Sequence, residues 1–134
     1  MFGPDQTSPC APVRVLVVDD TEVSRQVLAE VVAATPGFEV VGDAASGREA
    51  IELIGPLGVQ LLLLDVEMPD LDGIETATRI RGRYPGVVIL LLTAAEGASL
   101  RVSSLTVEDK RILSPGWLAD FWGRHSHSRW DSRA

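Results

Sequence analysis

Four short aliphatic runs punctuate the first two-thirds of the chain. Val13-Arg14-Val15-Leu16-Val17-Val18 halts at Asp19-Asp20, Phe38–Val41 is a shorter run, Val59–Leu64 halts at Asp65, and Val87–Leu92 halts at Thr93. Near-continuous apolar runs of this length predict strands buried on both faces. The segments between them repeat at helical spacing: Val23, Val27, Leu28, Val31 and Val32 within 21–35, then Ala50, Ile51, Leu53 and Ile54, then Ile74, Ala77 and Ile80 within 73–83. Thr21 and Ser46 stand where N-caps belong, and Pro36-Gly37, Gly55-Pro56 and Tyr84-Pro85-Gly86 break the helices. Strands alternating with helices predict an α/β fold, a parallel sheet covered on both sides. Open sheets of this kind carry their chemistry at the carboxyl ends of the strands, and here those ends are the acids and Thr93.

Past Thr93 the periodicity weakens. The reading places a short helix within 94–104, a brief fifth strand at 105–109, and a last helix that starts at Ser114-Pro115 and stops at Gly123. Trp117, Leu118 and Phe121 share one face of that helix. Residues 1–12 read as a loose leader, 13–123 as one domain and 124–134 as a frayed tail. Trp117, Phe121 and Trp122 suit either a core or a partner-facing surface, and His125 and His127 read as solvated tail residues. Pro69 fixes a turn and Gly73 permits close helix packing.

Composition narrows the function classes. Apolar residues make up 46% and charged residues 23%, ordinary for a globular domain and against disorder. Twelve Lys and Arg face nineteen Asp and Glu, a net charge of −7, which disfavours a nucleic-acid partner. The apolar runs are too short to span a bilayer, and Met1–Pro12 lacks the layout of a signal peptide. Cys10 is the single cysteine, so no internal disulfide forms, which fits a cytoplasmic location.

Asp19, Asp20 and Asp65 converge at one edge of the sheet. Like charges so close raise one another's pKa unless a cation sits among them, and an all-oxygen set suits Mg²⁺. Phosphoryl transfer asks the protein mainly to position and neutralise, so a metal, a cation and a hydroxyl suffice. Thr93 supplies the hydroxyl. Lys110, the only lysine, is the obvious cation.

Val15–Asp20, the stretch Asp65-Val66-Glu67-Met68-Pro69-Asp70-Leu71-Asp72-Gly73 and Leu91-Leu92-Thr93-Ala94 resemble the receiver domain of two-component response regulators. The resemblance implies a flavodoxin-like, doubly wound sheet of five parallel strands in the order 2-1-3-4-5. It implies Asp65 as phosphoacceptor, Mg²⁺ held by Asp19, Asp20, Asp65 and the backbone carbonyl of Glu67, and Thr93 as the hydroxyl that turns inward on activation. The side chains of Glu67, Asp70 and Asp72 are read as solvated. Two placements compete for the family's lysine. Lys110, seventeen residues after Thr93, requires a shortened or irregular fourth helix, whereas the usual spacing lands on Ser114, which would leave the phosphoryl group without a counter-charge. Lys110 is favoured, because Val107-Glu108-Asp109-Lys110 ends a plausible strand and Ser114-Pro115 then opens a helix.

The implied function is a stand-alone receiver rather than an enzyme. A histidine kinase or phosphotransfer protein would phosphorylate it, and it would signal by protein–protein contact to an unidentified partner; a homodimer is compatible with this. The rival reading is a degenerate receiver that docks partners independently of phosphorylation. An aspartyl-phosphate hydrolase would need Asp-x-Asp after the first strand, and a flavodoxin-type flavin binder would need a Ser/Thr/Gly-rich phosphate loop there.

Overall fold

Every residue of Val15–Val18, Leu61–Asp65 and Ile89–Thr93 is buried, which is possible only where both faces of a sheet are covered. The computed structural model describes residues 11–133, with side chains through 126, so Cys10 and most of the leader lie outside the described residues, as does the His127 side chain. The elements run β1 (Val13–Val18), α1 (Glu22–Ala33), β2 (Phe38–Ala44), α2 (Gly47–Leu53), β3 (Leu61–Asp65), α3 (Gly73–Arg83), β4 (Val88–Thr93), β5 (Ser99–Val102), β6 (Leu105–Asp109), a 3₁₀ turn Lys110–Ile112, and α4 (Pro115–Arg133).

Alternate side chains of each central strand serve opposite cores. Leu16, Val18, Leu62, Leu64 and Leu91 pack with Ala50, Ile54, Ala77 and Ile80 of the α2–α3 layer. Val15, Val17, Leu61, Leu63, Leu90 and Leu92 pack with Leu28, Val32, Leu118 and Phe121 of the α1–α4 layer. Sheet order is β2-β1-β3-β4-β6-β5, with every pair from β2 to β6 parallel and β5 antiparallel to β6. The expected 2-1-3-4-5 order is therefore present, with β6 as the fifth parallel strand. Register then brings the strand ends level: Val18 pairs with Leu64, Asp65 with Leu92 and Thr93 with Asp109.

Two expectations are corrected. No helix forms within 94–104, and the sheet has a sixth strand. Only those residues separate β4 from β6, fewer than the dozen or so a helical crossover takes. A strand rises about 3.3 Å per residue against 1.5 Å for a helix, so four extended residues return the chain where a helix of that length cannot. The chain descends as β5, turns at Ser103-Ser104, both with positive φ (51° and 69°), and ascends as β6 between β4 and β5. The second correction is the last helix, which continues past Gly123 to Arg133. A glycine weakens a helix by about 1 kcal/mol but stops it only where the backbone turns left-handed, and no proline follows to force that.

Local chemistry sets the remaining ends. Ser46 caps α2, with Glu49 bonding back to Ala45 N, and Asp72, expected to be solvated, caps α3 through Glu75 N at 2.9 Å. Asp70, also read as solvated, pairs with Arg48 at 2.9 Å. Thr21 occupies the N-cap position of α1 without a side-chain cap bond. Gly73 opens α3 directly against β3: a Cβ there would collide with the Asp65 carbonyl oxygen and with Val66 Cα. His125 is half-buried rather than solvated, stacked on Phe121 with ring centroids 4.0 Å apart and bonded through Nδ1 to the Phe121 carbonyl at 2.9 Å. Trp117 stacks on Phe121 and Trp122 meets Phe38 edge-on, so these rings belong to the α1–α4 core.

Candidate functional site

The carboxyl ends of β1 and β3, neighbours in the sheet, set Asp19 and Asp65 side by side, and Asp20 follows at the exposed rim. One carboxylate oxygen from each of the three lies within 4.8 Å of the others. Asp19 is fully buried and Asp65 3% exposed. Asp19 Oδ1 accepts from Thr21 N at 3.0 Å, and its Oδ2 accepts from Ser24 Oγ at 2.6 Å and Lys110 Nζ at 2.8 Å. Burial alone would raise Asp19, but the bonds from Lys110, Ser24 and Thr21 outweigh it and hold the carboxyl below its usual range. Asp65 goes the other way. Burial and the neighbouring Asp19 charge push it up to about 6, against the pull of Lys110.

Lys110 stands in the 3₁₀ turn that follows β6, and its ammonium reaches Asp19 Oδ2 at 2.8 Å, Ser24 Oγ at 3.1 Å and Asp65 Oδ1 at 3.6 Å. Burial opposes its charge, while the Asp19 bond and the charges of Asp65 and Asp19 raise its pKa. Ser114, the competing candidate, lies elsewhere: its Oγ accepts from Trp117 N at 3.2 Å as the cap of α4. The turn that carries Lys110 is set by Asp109, which accepts from Arg111 N at 2.9 Å and from Gly97 N at 2.8 Å, pinning the start of the β5–β6 hairpin to the same spot. The Arg111 guanidinium, which also bonds Asp109 at 2.9 and 3.0 Å, together with those two backbone bonds keeps the Asp109 carboxyl well below the usual range.

Thr93 ends β4 at the same rim and is 4% exposed. Its hydroxyl donates to Glu67 Oε2 at 2.6 Å, and Ala94 N donates to Glu67 Oε1 at 3.4 Å. The Glu67 side chain is exposed, as expected, and is in addition a partner of Thr93. Sequence reading also passed over Ser24 and Arg25. Both sit on the first turn of α1, where a side chain looks back at the preceding strand end: Ser24 bonds Asp19 as above, and Arg25 Nη1 donates to the Asp19 carbonyl at 2.9 Å. The signal available was their distance from Asp19, about one helical turn past the strand end.

The donor set fits a hard divalent ion. Three carboxylates from two adjacent strand ends offer oxygen ligands, and a further cation would offset the burial and the Asp19 charge that raise Asp65. With the ammonium alongside, the rim can also receive a phosphoryl group, because an ionised Asp65 oxygen is a nucleophile with positive charge at hand.

Known proteins resemble this chain in sequence and in fold. The family model for the response regulator receiver domain matches residues 15–114. A protein-glutamate methylesterase/protein-glutamine glutaminase of Anaeromyxobacter dehalogenans is 43% identical over 122 residues, covering 88% of this chain and 35% of its own length. A namesake of Moorella thermoacetica is 42% identical over 95 residues, 70% of this chain and 22% of its own. The chain thus spans between about a fifth and a third of these relatives. Among solved structures, the response regulator domain of Thermotoga maritima CheB superposes with a TM-score of 0.69 at 29% identity, covering 81% of this chain and 92% of that one. The receiver domain of NarL from Mycobacterium tuberculosis gives 0.70 at 26%, covering 81% and 94%. Because the family match covers most of the chain and takes in Asp19, Asp20, Asp65, Thr93 and Lys110, the chain belongs to the family of response regulator receiver domains.

Proposed function

We propose that Asp65 accepts a phosphoryl group from a phosphohistidine on a histidine kinase or phosphotransfer protein, and that the modified chain signals by protein–protein contact in the cytoplasm. The observation that carries this is the Lys110 ammonium, 2.8 Å from Asp19 and 3.6 Å from Asp65 in a buried acidic pocket. A carboxylate oxygen of Asp65 attacks phosphorus as the P–N bond to the donor breaks, giving an acyl phosphate and a neutral imidazole once the nitrogen is protonated. Lys110 meets charge on the phosphoryl oxygens, and Ser24 and Asp19 hold the ammonium in place. Mg²⁺, held by Asp19, Asp20, Asp65 and the Glu67 carbonyl, would supply the charge neutralisation that three acids and a phosphoryl group together require. Thr93 then offers its hydroxyl to the phosphoryl group, which biases the surface around β4 and the β5–β6 hairpin.

The named relatives are methylesterases several times longer than the matched region, which supports a regulatory rather than a catalytic share for this chain. Incubation with acetyl phosphate and Mg²⁺ should add one phosphoryl group, labile to hydroxylamine and absent from Asp65→Asn. Uptake by the variant, or none by the wild type, overturns the assignment. The hairpin in place of the fourth helix is the one observation that favours a docking module deaf to phosphorylation. Partner binding identical with and without acetyl phosphate would select that reading.

A further inference from the structure

Glu67 has a second role in the pocket that its backbone carbonyl does not exhaust. Thr93 has one hydroxyl proton, and it is spent on Glu67 Oε2 at 2.6 Å. The other carboxylate oxygen takes the Ala94 N–H at 3.4 Å, so Glu67 grips both the switch residue and the backbone that follows it. The Thr93 oxygen in turn accepts from Ala95 N at 3.1 Å, fixing the rotamer from the other side. Asp65 lies two residues before Glu67, with Glu67 N donating to Asp65 Oδ1 at 3.3 Å, so acceptor and gripping carboxylate are mounted on the same few atoms of backbone.

We propose that the Glu67 carboxylate is a latch on the Thr93 hydroxyl, a positioning residue that sets the threshold for switching. This rests on the reading of Asp65 and Thr93 given above and adds to it a competitor within this chain. An ionised acceptor binds a hydroxyl proton about twice as strongly as a neutral one, so Thr93 leaves Glu67 only when something comparably charged is offered. A phosphoryl group on Asp65 is such an acceptor. It also repels the Glu67 carboxylate, so the event that attracts the hydroxyl weakens its restraint. In the unmodified chain the latch suppresses spontaneous excursions of Thr93 toward the pocket, lowering the fraction of molecules already in the switched arrangement.

The test needs two readouts. In the metal-free, unmodified protein, NMR couplings and methyl shifts of Thr93 should report one rotamer in the wild type and averaged rotamers in Glu67→Ala, with Glu67→Gln, which keeps an acceptor oxygen without the charge, in between. At saturating Mg²⁺, beryllofluoride should bind Glu67→Ala roughly fivefold more tightly than the wild type, the scale of losing one partly exposed charge-assisted hydrogen bond. Thr93 rotamers that are unchanged in Glu67→Ala overturn the latch, as does beryllofluoride affinity that is unchanged or weaker. If no variant binds beryllofluoride, the phosphoacceptor reading of Asp65 fails instead, and the metal-free rotamers still decide whether Glu67 restrains Thr93.

Discussion

From Val13 to Thr93 each strand returns through a helix, and the chain obeys the rhythm of a doubly covered sheet; from Ala94 to Ile112 it returns through a strand and a 3₁₀ turn instead. Yet both regions deliver side chains to one pocket. The first contributes Asp19, Asp20, Asp65 and Thr93 from strand ends, where position follows from register alone. The second contributes Lys110 from a turn whose placement depends on Asp109 and its bonds to Gly97 and Arg111. Side chains reach the acidic rim by either kind of connection, the ammonium among them, so the route by which the backbone brings it there is secondary.

That independence of route is open to attack. Lys110→Ala removes the cation beside two buried carboxylates, and breaking such a pair costs about 3 kcal/mol. Urea unfolding at pH 7.5 should show that loss, shrinking as the pH is lowered and the stranded acids take up protons. A loss that does not depend on pH would mean that Lys110 serves the hairpin rather than the pocket. Asp65→Asn acts in the opposite direction. Because Asp65 titrates at about 6 when folded and near 3.8 when unfolded, its charge works against folding above that window. At about 1.4 kcal/mol per unit the shift sets a ceiling near 3 kcal/mol. With Lys110 left short of a partner, the variant should gain about 2 kcal/mol at pH 7.5. The gain should fade as pH drops through 6 and vanish below 4, where the wild-type carboxyl is protonated in both states. The smallest effect belongs to the hairpin. Its two-residue turn has positive φ at Ser103 and Ser104, a conformation that Asn-Gly adopts at less cost. The S103N/S104G double variant should stabilise the fold by about 1 kcal/mol in thermal melts and leave acetyl phosphate uptake unchanged.

The sheet and its acidic rim were legible because they rest on the least context-dependent signals. Runs such as Leu61–Leu64 have no polar face to offer solvent, and a run that ends abruptly in Asp must end at an edge of the core. The hairpin was not legible, since Ser99-Leu100-Arg101-Val102 is largely exposed and carries no burial pattern, and family habit suggested a helix where the connection is too short for one. Asp72 and Glu67 were hidden for another reason. A carboxylate in a loop reads the same whether it meets water, a helix N-terminus or a hydroxyl from another strand, and only the fold brings Thr93 within 2.6 Å of Glu67. His125 was misjudged because a helix that does not stop at Gly123 carries it over Phe121.

Lys110 directly follows the residue that clasps Gly97, so the outermost margin of the sheet and the electrical state of the pocket share one fastening. Edges fray before centres do. Were that margin to peel away and carry Lys110 with it, Asp65 would face Asp19 with no ammonium beside it. On the proposed function, receptivity to phosphate would then depend on the integrity of the one part of the molecule built differently from the rest.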